Sequence, residues 1–188
     1  MTKGMRAALI AMRQQLGCMR WVPEMLLAAW MLTGVPDANA AEARLWTHGV
    51  APLPALETLD GRRFDPGSLA GKTVVLNFWA VWCAPCREEL PAIDRYALAL
   101  KGKPVEVLLV NVGDSNTAIG KFLAKQPTGL RSLRLAAGEL PGEAWRFSAL
   151  PATVIVDAHA QPRWVVRGSL DAEAEPMRGL LARVMGAI

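Results

Sequence analysis

Val74-Val75-Leu76-Asn77-Phe78-Trp79-Ala80-Val81-Trp82-Cys83-Ala84-Pro85-Cys86 decides the fold. Val74, Val75, Leu76, Phe78 and Trp79 form a β-branched and aromatic apolar run of the length of a central strand. Trp82 leads into Cys83, and Cys83-Ala84-Pro85-Cys86 is a Cys-x-x-Cys. From Arg87 the pattern turns helical, with Glu88, Glu89 and Leu90. The two cysteines therefore sit where a strand gives way to a helix. A helix N-terminus carries unpaired N–H groups and partial positive charge, which favour a thiolate.

The chain of 188 residues suits one domain with short appendages, and 52% hydrophobic with 20% charged residues is a globular composition. Three cysteines, Cys18, Cys83 and Cys86, are too few for a disulfide-stapled fold or a four-cysteine zinc site. The formal net charge of +4 is a weak bias and the domain's basic residues are scattered, so no nucleic-acid partner is expected.

Residues 1–40 read as a secretory signal peptide. Lys3, Arg6, Arg13 and Arg20 precede the apolar run Met25 to Val35, and Ala38-Asn39-Ala40 is a small-x-small cleavage signature before Ala41. The alternative is an uncleaved anchor, the one route by which this chain would hold a membrane. Either way the domain is expected in the periplasm or otherwise outside the cytoplasm, and cleavage would discard Cys18.

Residues 41–54 read as an extended lead-in with Pro52 and Pro54, and residues 55–188 as the folded domain. Ala55 to Phe64 reads as a small hairpin turning at Asp60-Gly61, and Asp65-Pro66-Gly67 as a further turn. A helix is expected over 86–100, with Leu90, Ile93, Leu98 and Leu100 inward, a kink at Pro91 and a stop at Gly102. Val105 to Val112 reads as a second buried strand. Gly113 to Asn116 is a loop rich in capping residues, and Thr117 to Gln126 a helix. A short strand over Leu133 to Ala136 follows, then a helical turn over Glu143 to Phe147 and a strand over Thr153 to Val156. A turn from Asp157 to Pro162 leads to its hairpin partner over Arg163 to Arg167, and Asp171 to Met185 is the closing helix. The order predicts an α/β fold, a central mixed sheet with helices on both faces.

These residues resemble a known family. Asn77 to Pro91 (N-F-W-A-V-W-C-A-P-C-R-E-E-L-P), followed by Leu150 to Asp157 (L-P-A-T-V-I-V-D), is similar to thioredoxin-fold proteins. More narrowly it looks like the secreted TlpA/ResA/CcmG-like thiol-disulfide oxidoreductases. The preceding hairpin and Gly71-Lys72 match that group, and the resemblance covers roughly Leu53 to Met185. It implies a thioredoxin-like fold with an N-terminal β-hairpin extension, and a redox-active Cys83–Cys86 disulfide with no other cofactor. Cys83 would be the exposed attacking thiolate and Cys86 the resolving thiol. Ala84 and Pro85 would tune the redox poise, Trp82 would flank the disulfide, and Pro151 would be a cis-proline facing it. Leu150 and Pro151, with Trp82, would meet the substrate. Glu89 matches a carboxylate that would carry a proton to or from Cys86; its other reading is a solvated helix face. Asn77 stands where thioredoxin has a buried Asp and cannot take a proton, so its replacement is expected mainly to disturb packing.

The function implied is reduction of protein disulfides, in cytochrome c maturation or copper-site assembly, with recharging by a membrane dithiol donor. A thiol peroxidase is a second reading, weakened because Ala80 stands where such enzymes carry Thr or Ser. A non-enzymatic Cu(I)-binding dithiol module is a third. Trp46, Trp145 and Trp164 are expected to pack, and His48 and His159 to lie at the surface without a metal role.

Overall fold

A computed structural model of the protein describes residues 41–49, 51–136, 145, 149–170 and 175–186. The expected signal segment, Cys18 and the start of the closing helix lie outside them. So does the expected turn over Glu143 to Phe147, Trp145 excepted.

Seven strands form one mixed sheet. In chain order they are β1 (Glu42–Leu45), β2 (Leu56–Thr58), β3 (Thr73–Trp79), β4 (Val105–Asn111), β5 (Arg131–Leu135), β6 (Ala152–Val156) and β7 (Pro162–Arg167). The helices are α1 (Ala84–Ala99), α2 (Asn116–Lys125) and α3 (Glu175–Gly186), with a 3-10 helix at Pro66–Leu69. The sheet order is β1-β7-β6-β3-β4-β5-β2. β3 lies at its centre, parallel to β4 and antiparallel to β6. Every residue of β3 is buried, as the unbroken apolar run requires of a strand covered on both faces.

The two faces of β3 carry different cores. Val74, Leu76 and Phe78 pack with Leu108, Val110, Val154 and Val156 beneath Leu56, Phe64, Leu69 and Trp145. On the other face Val75 meets Ile93 and Tyr96 of α1 and Met177 and Leu181 of α3. Trp79, also on that face, meets Leu90 of α1 and Ile119 of α2. The three described α-helices thus share one face, and the hairpin, the 3-10 helix and Trp145 cover the other. Each such fully buried aliphatic side chain contributes roughly 1.5–3 kcal/mol over an exposed one.

Several expectations need correction. Helix α1 begins at Ala84, two residues before the expected start, with Cys83 as its N-cap and Pro85 in the first turn, where a missing N–H costs nothing. Leu98 is 70% exposed, while Tyr96 is buried beside Ile93 and Leu100. At about 100° per residue, Leu98 falls some 140° from Ile93 around the helix. Pro91 lies within a helix that runs on to Ala99. The carbonyl it leaves without an intrahelical donor, that of Arg87, accepts instead from Gln126 Nε2 at 3.1 Å.

The lead-in does more than extend: Glu42 to Leu45 pair with Arg167 to Trp164 and add an edge strand. The hairpin closes between Thr58 N and Arg62 O at 2.8 Å, around Gly61 at φ +83°. Its second arm is a single Glu57–Arg63 bridge, and Leu56 to Thr58 pair with β5 along their other edge. His48 and His159 are exposed, and Trp46 packs at a tilt against buried Trp145, ring centres 5.5 Å apart.

Candidate active site

Strand β3 ends at Trp79, and the chain turns once before α1, with Cys83 N donating to Ala80 O at 3.2 Å. That turn puts Cys83 at the N-cap of α1. Its Sγ accepts from the Cys86 N–H at 3.3 Å, and the two cysteines are joined as a disulfide with Cα atoms 5.3 Å apart. After reduction the same N–H and the helix N-terminus would favour a thiolate at Cys83. Cys83 is less open than expected, at 5% exposure, but Cys86 is at 0%, so only Cys83 offers its sulfur to an incoming group. Trp82 beside it is 70% exposed. Ala84 and Pro85 form the first turn between the two sulfurs.

The Leu150–Pro151 peptide bond is cis. Ala152 pairs with Phe78, which brings Pro151 to the end of the sheet where the cysteines lie. Leu150, half-buried, packs against the apolar group that contains both cysteines. Pro151 is buried, and its carbonyl accepts from Gly168 N at 3.1 Å.

Glu89 lies one helical turn beyond Cys86 and is 4% exposed, so the solvated-face reading fails. Its Oε1 accepts from Asn77 Nδ2 at 2.9 Å; its Oε2 accepts from Ser169 Oγ at 3.3 Å and from the Leu170 N–H. Burial raises its pKa above the usual carboxylate range, opposed in turn by the hydrogen bonds from Leu170, Asn77 and Ser169. Asn77 also donates to Thr153 Oγ1 at 3.1 Å. Asn77 therefore does more than pack. It is an amide holding the carboxylate that α1 supplies.

Thr153, Ser169 and Leu170 were not singled out by sequence. Thr153 was recoverable from strand register, since it pairs with Asn77; Ser169 and Leu170 depend on how the chain leaves β7. Among the described residues no group of three or more His, Cys, Asp or Glu could hold a metal ion.

This arrangement matches known proteins. The redoxin family matches residues 35–173. The thiol-disulfide oxidoreductase ResA of Bacillus subtilis is 32% identical over 120 residues, 64% of this chain and 66% of that protein. ResA of Geobacillus kaustophilus is 30% identical over 149 residues, 79% of this chain and 84% of that protein. Among solved structures, a secreted Mycobacterium tuberculosis disulfide oxidoreductase homologous to Escherichia coli DsbE superposes with a TM-score of 0.57. It shares 26% identity, over 69% of this chain and 95% of that one. With the paired cysteines at the start of α1 and a thioredoxin-like sheet beneath them, the chain belongs to the redoxin family, among the thiol-disulfide oxidoreductases of ResA type.

Proposed function

We propose that this chain reduces selected protein disulfides outside the cytoplasm, in cytochrome c maturation or copper-site assembly. The observation that carries the reading is the asymmetry of the pair. Cys83 has surface and a helix N-terminus; Cys86 has none and lies one turn above a buried carboxylate. In the reduced protein the Cys83 thiolate attacks one sulfur of a client disulfide. A bond forms between them, and the other client sulfur leaves with the electron pair and takes a proton. Cys86 gives up its proton and attacks Cys83 Sγ, releasing the second client thiol. Two electrons have passed to the client, and the Cys83–Cys86 disulfide has formed. In this reading Glu89 accepts the Cys86 proton; its position one helical turn along α1 and the burial that raises its pKa support that role. Exposed Trp82 and half-buried Leu150, with Pro151 buried behind them, form the surface a client would meet. A membrane dithiol donor restores the thiols.

The expected export signal at residues 1–40 and the secreted relative from M. tuberculosis support the location. N-terminal sequencing of the mature protein is expected to begin at Ala41.

Equilibration with glutathione tests the direction. A potential at or below that of the glutathione pool supports reduction, and one near about −120 mV, in the range of strong periplasmic oxidants, overturns it. Cys86→Ala tests the class of substrate. Client proteins are expected to accumulate as mixed disulfides on Cys83, and finding only small-molecule adducts would remove the protein-disulfide reading.

A further inference from the structure

Beyond Trp79 the parallel ladder between β3 and β4 runs out. Trp79 pairs with Asn111, and Trp79 O accepts from Val112 N at 2.9 Å. The next inward N–H on the β3 side is that of Val81, inside the turn that carries Cys83. In a continued ladder it would donate to a backbone carbonyl of β4. The chain instead swings away at Gly113, at φ +88°, a conformation that strains any other residue. The missing acceptor is supplied by a side chain: Asp114 Oδ2 takes the Val81 N–H at 2.7 Å.

Asp114 is itself fixed. Asn111 Nδ2 donates to the same oxygen at 2.9 Å, and Asn111 Oδ1 accepts from Asp114 N at 3.0 Å. Asn111 is fully buried. Asp114 is not the cap of α2 either, since Ser115 Oγ accepts from Ala118 N at 3.2 Å. Its carboxylate is left to the active-site turn.

We infer that Asp114 is a positioning residue for thiol-disulfide exchange, holding the Val81–Cys83 backbone so that the Cys83 sulfur stands at the surface in line for attack. The inference rests on Cys83 being the attacking sulfur. Exchange needs the nucleophile, the attacked sulfur and the leaving sulfur close to one line, so a loosened turn slows the step without removing either thiol. Asp114 acts through the backbone and touches neither sulfur nor client.

The test is the reaction of the fully reduced protein with DTNB. The Cys83 thiolate binds one thionitrobenzoate and expels the other, and Cys86 then displaces the bound one, leaving the protein disulfide. Asp114→Ala is expected to slow the first expulsion about tenfold. Asp114→Asn keeps an oxygen acceptor and is expected to restore the rate to within about twofold of the parent. A parental rate in Asp114→Ala overturns the inference, as does an Asn variant as slow as the Ala variant. Should Asp114→Ala fail to fold, amide exchange in the unaltered protein decides. Protection of Val81 N–H comparable to that of Val112 supports the clamp; exchange at the rate of an open loop overturns it. Cys83→Ser reacting as fast as the parent would defeat the assignment of the attacking thiol instead, a separate outcome from any of these.

Discussion

Asn77 Nδ2 donates to Glu89 Oε1 at 2.9 Å, tying the strand that delivers the cysteines to the helix that starts at them. The bond is buried, and both partners have further contacts. Asn77 reaches Thr153 of β6, and Glu89 takes donors from Ser169 and Leu170 after β7. Four segments of the chain therefore meet around one carboxylate. An acid is present beneath the redox pair, but it comes from α1 and the strand contributes its hydrogen-bond donor.

Glu89→Gln removes a charge one helical turn from Cys86 without changing the size of the side chain. A nearby carboxylate disfavours a thiolate. The apparent thiol titration of the reduced variant is expected to move down by about half a pH unit or more. Ultraviolet thiolate absorbance against pH reads this directly. An unchanged titration would remove Glu89 from proton handling.

The same residue sets a slope in stability against pH. Burial raises Glu89's pKa in the folded state. Between the unfolded value, about 4.3, and the raised folded value, the native protein binds the proton more tightly than the unfolded chain does. The stabilisation is full below that window and is lost as pH rises through the folded value. Urea unfolding of the oxidised protein across this range, compared with Glu89→Gln, isolates the contribution. The variant is expected to lose that part of the slope, and identical slopes would refute the linkage.

Asn77→Leu keeps approximate volume but leaves Glu89 short of a donor in a buried site. The expected cost is about 1–3 kcal/mol of stability. Asn77→Asp sets a second carboxylate against the first, and the pair then shares a proton over a wider pH range. Its stability is expected to fall more steeply with rising pH than the parent's. Among the described residues Asn77 Oδ1 has no hydrogen-bond partner. It offers an acceptor should the amide turn when Glu89 is protonated, which a Leu at this position cannot reproduce. A neutral Asn77→Leu would show that the hydrogen bond adds nothing.

The Val74–Trp79 run and the cysteines made the centre of the sheet and the start of α1 legible, because both are written in local pattern. Pro151 was legible through resemblance alone. Tertiary closure was not. The exposure of Leu98 was decidable from helical angle, but four leucine and isoleucine candidates obscured Tyr96. Glu89's burial depends on β3, β6 and the segment after β7 converging on it, and no sequence window contains those contacts. Asp114 read as a capping residue because Asp and Ser are both good caps. Only the path of the chain at Gly113 shows that Ser115 takes that role and Asp114 faces the cysteine turn.

Pro91 offers a test of how one side chain compensates for a backbone defect. Proline within a helix removes an N–H donor, and here the stranded carbonyl of Arg87 is met by Gln126 across from α2. Pro91→Ala restores the intrahelical donor and is expected to stabilise the fold by about 1–2 kcal/mol, less than the full proline penalty because Gln126 already offsets part of it. Gln126→Ala in the parent strands Arg87 O at an exposed position, at an expected cost of about 0.5–1 kcal/mol. In the Pro91→Ala background the carbonyl has a backbone partner, and the same change at Gln126 is expected to cost close to nothing. A double-mutant cycle by urea unfolding measures the difference, and a coupling of about 0.5 kcal/mol or more is expected. Strict additivity would mean that water serves the Arg87 carbonyl as well as Gln126 does, and that the cross-helix bond contributes no stability.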